Sequence, residues 1–95
     1  MNWQVYMILC SDDSLYTGIT TDVARRFAQH LTGRGARYFR GRSPCRLVYL
    51  EPGHDRRSAS RREAQIKRLS PEDKRRLIGA PGNPLRDMPQ RAGPA

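Results

Sequence analysis

Residues 3–20 leave this chain few ways to fold. Trp3 to Cys10 is apolar and rich in β-forming residues on both alternating faces, Ser11-Asp12-Asp13-Ser14 is a cluster of turn residues, and Leu15 to Thr20 is a second short run of the same kind. The pattern reads as a β-hairpin buried on both sides. With 95 residues in all, the hairpin belongs to one small domain with a thin core. Its turn also decides where two tyrosines point. Tyr6 and Tyr16 lie ten positions apart, and side chains alternate across a strand. They share a face if the loop has an odd number of residues and lie on opposite faces if it has two.

Thr20-Thr21-Asp22 supplies an N-cap and an acid for a first helical turn. A helix is therefore expected to about Leu31, with Val23, Phe27 and Leu31 as its apolar stripe. At roughly 100° per residue, Arg26 and His30 fall together just beside that stripe, while Arg25 points the opposite way. Thr32 to Gly35 ends the helix, and the basic stretch from Ala36 to Ser43 carries no clear period. Cys45 to Leu50 reads as a third strand, Pro52-Gly53-His54 as a turn, and Ser58 to Leu69 as a second helix. Ser70, Pro71, Glu72 and Asp73 then give an N-cap, a proline at the first helical position and first-turn acids, so a short third helix is expected to Ile78 with Gly79 as its C-cap. The folded domain spans residues 1–79, and the Pro/Gly-rich residues 80–95 are expected to form a disordered tail.

The charge is unevenly placed. The net charge is +9, with sixteen arginines to two lysines. Residues 1–24 hold three acids and no basic residue, residues 25–50 hold seven arginines and no acid, and residues 56–76 hold nine basic residues. Such a shell suits nucleic acid, although an anionic membrane surface or an acidic protein would also be attracted. The candidate phosphate contacts are Arg34, Arg37, Arg40, Arg42, Arg46, Arg56, Arg57, Arg61 and Lys67. Cys10 and Cys45 form no CxxC and no zinc-type cluster, so both read as reduced cysteines of a cytoplasmic protein. No apolar run approaches a membrane span, and the first residues lack the basic segment of a signal peptide.

A second set of residues carries chemistry. Tyr6 and Tyr16 offer phenols, Arg26 a guanidinium, His30 an imidazole and Glu63 a carboxylate. Gly18, two residues after Tyr16, leaves its face bare, as a close approach or a bulge requires. On the second helix Ala59, Glu63 and Ile66 share neighbouring angles, so Glu63 stands at the edge of the buried stripe. There it is either paired with a neighbour such as Arg62 or Lys67, or aimed into a site. Mg²⁺ often needs only one or two protein carboxylates.

In their order and spacing these residues resemble the GIY-YIG nuclease superfamily, in its small stand-alone bacterial single-domain form. Gln4-Val5-Tyr6 stands at the first motif and Tyr16-Thr17-Gly18 at the second. Asp22 through Arg26, with His30, matches the helix that follows, and Arg62-Glu63-Ala64-Gln65-Ile66-Lys67 matches the segment with the metal-binding glutamate. The resemblance covers residues 3 to about 78. Gln4 replaces a glycine and Thr17 an isoleucine. Ile19 stands where some members carry a lysine near the reacting centre.

The resemblance implies an α+β fold with a three-stranded antiparallel sheet flanked by helices. It implies a Mg²⁺- or Mn²⁺-dependent endonuclease that hydrolyses DNA phosphodiesters, linked to repair or recombination, with no small-molecule cofactor. Glu63 would hold one ion. Tyr16 would act as the base or relay to it, Arg26 would neutralise developing charge, and His30 and Tyr6 would position water or phosphate. The alternative is a nucleic-acid-binding module on the same fold that does not cut.

Overall fold

The computed structural model describes residues 2–33, 39 and 41–86. Its elements are β1 (Trp3–Cys10), β2 (Leu15–Thr20), α1 (Val23–Leu31), β3 (Pro44–His54), α2 (Arg56–Lys67) and α3 (Pro71–Ile78). The strands form one antiparallel sheet in the order β2-β1-β3. Among the described residues no helix is long and apolar enough to cross a membrane.

The hairpin turn resolves the tyrosine question. Leu9 pairs with Leu15, which leaves residues 10–14 between the paired positions, an odd number. Cys10 N–H donates to Ser14 O at 2.9 Å and Asp13 N–H to Cys10 O at 3.0 Å. Asp13 takes the left-handed conformation at φ 66° that such a three-residue loop needs. Asp12 Oδ1 accepts from Ser14 N at 3.1 Å, which locks the turn as an Asx motif. Tyr6 therefore pairs with Gly18 and Ile8 with Tyr16, and both phenols face the same side.

Because β1 is the central strand, its alternating side chains feed two cores. Val5 and Met7 pack with Val48, Tyr49, Ala59, Ile66 and Ile78, on the side covered by α2 and α3. Tyr6, Ile8 and Cys10 pack on the other side with Val23 and Phe27 of α1, and with Leu47, Leu50, Tyr16 and Phe39.

Several boundaries differ from the sequence expectation. In α1 the buried position belongs to His30, and Leu31 is 57% exposed, so the stripe turns toward residues 26, 27 and 30. β3 runs past the expected turn to His54, which pairs with Trp3. It is an edge strand and tolerates Pro52, with an irregularity in the register absorbing the extra residue. α2 starts at Arg56 rather than Ser58, because Asp55 caps it and makes a capping box with Ser58.

The chain does not leave the domain at residue 80. Asn83 is 2% exposed. Its Nδ2 donates to Ile78 O at 2.7 Å and Val48 O at 2.9 Å, and its Oδ1 accepts from Leu85 N at 3.1 Å and Leu50 N at 3.2 Å. The expected tail therefore contributes a buried polar plug between α3 and β3. Residues 87–95 lie outside the described part.

Candidate active site

The site begins where β1 and β2 face each other. A Cβ on Gly18 would stand 2.5 Å from the Tyr6 hydroxyl oxygen, 2.7 Å from Tyr6 Cζ and 3.1 Å from Tyr16 Cε2. The face that Gly18 leaves bare is thus filled by Tyr6 itself. The Tyr6 hydroxyl lies 2.9 Å from His30 Nε2, and both residues are 1% exposed. The rings of Tyr16 and His30 meet edge-on, with centroids 5.3 Å apart. Phe39 covers both, at 4.6 Å from His30 and 4.9 Å from Tyr16.

Burial sets the protonation states. It pushes Tyr6 far above the usual phenol range, reinforced by the negative charge that Tyr16 would carry and partly opposed by a hydrogen bond from Arg26. Burial, and then the charge of Arg26, bring His30 from 6.5 down to about 4, so its imidazole is neutral. Tyr16 stands above the ordinary phenol value because burial outweighs the opposing charges of Lys67 and Arg26; Glu63 adds to the rise and the hydroxyl contact with Tyr6 opposes it. The two phenols therefore differ. Lys67 and Arg26 both act on Tyr16, whereas Arg26 is the cation that acts on Tyr6. Buried His30 Nδ1 has no hydrogen-bond partner among the described residues, which fits the tautomer that carries its proton on Nε2 and donates to Tyr6. A buried bare lone pair is less costly than a buried unpaired N–H.

Arg26 and Arg25 part company as the helical angles require. Arg26 is half-buried, its Nη1 donating to Gln29 Oε1 at 2.9 Å, while Arg25 is exposed. A recess of about 150 Å³ beside them is lined by Thr20, Thr21, Asp22 and Gln29. Glu63 approaches from the opposite helix layer. Its carboxylate pairs with Lys67 Nζ at 3.3 Å, one turn on, and its charge is felt at Tyr16. Arg62, the other neighbour considered for Glu63, bridges Glu51 instead.

The cationic residues have varied fates. Arg34, Arg37 and Arg40 lie outside the described residues. Arg42 holds the hairpin turn through Asp12 and Ser14. Arg46 is half-buried with Nε and Nη2 shut away from water, which leaves little of its fork for a phosphate. Arg56 lies over the Trp3 ring at 5.6 Å, and Arg57 and Arg61 are exposed on α2. Lys67 is exposed but tied to Glu63.

Residues 2–76 match the model of the GIY-YIG catalytic domain. The chain belongs to the GIY-YIG family. That family is a nuclease superfamily, and the match spans both tyrosines, α1 and the helix of Glu63. A UPF0213 protein of Desulfotalea psychrophila is 53% identical over 79 residues, covering 82% of this chain and 72% of its own. A UPF0213 protein of Cronobacter sakazakii is 50% identical over 76 residues and covers 80% of each. The solution structure of a UPF0213 protein from Bacillus halodurans shares 44% identity and a TM-score of 0.56, covering 90% of this chain and 92% of that one. Within this GIY-YIG domain the sequence reading overlooked Phe39, whose basic surroundings concealed its packing role. It also overlooked Glu51, the one acid of β3, placed directly after the apolar run of residues 47–50, which was a visible sign of a partner.

The residues also restrict which metal could be held. Among the described residues no three His, Cys, Asp or Glu side chains gather as a metal-holding group, so a zinc cage does not fit. A hard divalent cation does fit. Glu63 is a rim carboxylate paired with the solvent-facing Lys67, and such cations take water and substrate phosphate as their remaining ligands.

Proposed function

We propose that this GIY-YIG domain is a metal-dependent endonuclease acting on DNA in the cytoplasm. The convergence of the Tyr6–His30 hydrogen bond, Tyr16, Arg26 and the Glu63 charge on one edge of the sheet carries this reading. Glu63 would hold a Mg²⁺ or Mn²⁺ ion. When bound, that ion would polarise a phosphate oxygen and stabilise the leaving oxygen.

The protein groups supply the rest. Tyr16 takes the proton of the attacking water or relays it to the base, with Lys67 and Arg26 offsetting part of the burial that raises its phenol. Tyr6 keeps its own proton and is fixed by neutral His30. Arg26 neutralises charge that develops on the phosphate. The exposed cations of α2 attract the DNA backbone without reading its sequence.

The Glu63–Lys67 ion pair favours a second reading, a binding module that no longer cuts. One experiment separates the two. Supercoiled, branched and single-stranded DNA are incubated with wild type or Glu63→Gln, with Mg²⁺ or with chelator. Cleavage that needs Mg²⁺ and collapses in Glu63→Gln, with DNA affinity kept or raised, supports the endonuclease. Equal cleavage by both proteins removes Glu63 from the chemistry, and inertness on every DNA form favours the binding module.

A further inference from the structure

A second cluster of titratable side chains lies away from the phenols, and Glu51 is its centre. The Tyr49 hydroxyl donates to Glu51 Oε1 at 2.5 Å, His54 Nε2 lies 2.6 Å from Oε2, and Arg62 Nε donates to the two oxygens at 3.1 and 3.2 Å. His54 is held from its other side by Ser58, with Nδ1 2.8 Å from Oγ. Tyr49 and Glu51 alternate along β3, whereas Ser58 and Arg62 are one turn apart on α2. The cluster therefore rivets one flank of α2 to β3. Burial raises the Glu51 carboxyl, but hydrogen bonds from Tyr49 and His54 and the charge of Arg62 bring it below its ordinary value. It remains an anion at neutral pH.

The rivet matters because Arg62 precedes Glu63. At roughly 100° per residue, Ala59 and Ile66 point together at the sheet, where both are fully buried. Arg62 lies to one side of that line and Glu63 to the other. With Arg62 fixed toward β3, Glu63 must face the opposite flank, which is β2 and Tyr16.

We propose that Glu51 is a positioning residue: by holding Arg62 it fixes the roll of α2 and so aims Glu63 at the Tyr16 side of the sheet. The proposal rests on the endonuclease reading above. It gives Glu51, Arg62 and their supports Tyr49 and His54 a role without contact with the reacting atoms.

The test titrates Mn²⁺ by electron paramagnetic resonance, with and without a short DNA duplex, and measures kcat and KM in parallel. Glu51→Gln and Arg62→Met each break the rivet, and Glu63→Gln is the reference for lost binding. Ser70→Ala, which removes the N-cap of α3 and touches none of the rivet residues, controls for stability; all proteins are measured well below their melting temperatures. Loss of a supporting group typically weakens metal binding about 10- to 100-fold. Glu51→Gln and Arg62→Met should therefore bind Mn²⁺ at least about tenfold more weakly and lose kcat with KM little changed, while Ser70→Ala binds as wild type does. Wild-type Mn²⁺ affinity in both rivet variants overturns the proposal and leaves the endonuclease reading standing. Equal weakening in Ser70→Ala also overturns it, because the effect would then be general loosening. Wild type that binds no better than Glu63→Gln overturns the metal role of Glu63 and this proposal with it.

Discussion

Gly18 faces Tyr6 across the β1–β2 ladder, and the Tyr6 hydroxyl oxygen stands 2.5 Å from the point where a Cβ on Gly18 would be. Tyr6 is buried and held by His30, so the ring has no room to retreat. Gly18→Ala should destabilise the domain by about 1–3 kcal/mol, the usual cost of overpacking. Adding Tyr6→Phe should recover only part of the loss, since the ring carbon Cζ would still meet the methyl at 2.7 Å. Denaturant melts of the single and double variants check this, and full recovery in the double variant would contradict it.

The neutral His30 makes stability depend on pH. Its folded value of about 4 lies below the ordinary 6.5. Between those values the unfolded chain binds a proton that the folded chain refuses, so stability is fully present above pH 6.5 and is lost as pH falls toward 4. A shift of that size corresponds to about 3 kcal/mol. His30→Gln keeps a polar side chain without titrating there. It should start less stable at pH 7 and show a flatter decline between pH 6.5 and 4. A decline as steep as wild type would remove His30 as the source.

Arg25 and Arg26 are a matched pair with opposite orientations. Arg26→Ala removes the half-buried guanidinium that hydrogen-bonds Tyr6, and DNA cleavage should fall by about 10²–10³, the usual cost of one lost transition-state donor. Arg25→Ala should mainly weaken DNA binding at low salt. Single-turnover rates at saturating protein separate the two effects, and equal rate losses in both would contradict the assignment.

Asn83 satisfies three backbone groups of the folded domain, at Val48, Leu50 and Ile78. Asn83→Ala leaves them without that partner and should cost about 2–4 kcal/mol at the typical penalty per buried unsatisfied group. Truncation after residue 82 should lower the melting temperature at least as much. An unchanged melting temperature in the truncated protein would show that the plug is dispensable.

The sequence announced its elements wherever a local signal was strong. The turn cluster between Cys10 and Leu15 and the Ser70-Pro71 start of α3 are such signals, and both elements stand as expected. The facing of the tyrosines required the loop count, which hangs on the conformation of Asp13 and could not be read from composition. Leu31 was misplaced because a neutral, fully buried imidazole at His30 takes the core position that periodicity assigned to an aliphatic residue. Pro52 looked like a strand end, but the sheet order makes β3 an edge, where a missing N–H does no harm. The Glu51–Arg62 bridge joins residues eleven apart on different elements, and no local pattern specifies such a partner. Asn83 was hidden among prolines and glycines, where a single amide resembles tail rather than core.

The Asn83 amide meets Val48 O and Leu50 N together, which is the pair of bonds that one residue of a parallel neighbouring strand would make on β3. A side chain thus closes the rim of the longest strand in the sheet. Exposed strand rims recruit other chains and seed aggregation. In this small cationic protein, one asparagine near the end of the described chain stands between a self-contained sheet and one that could grow by adding a copy of itself.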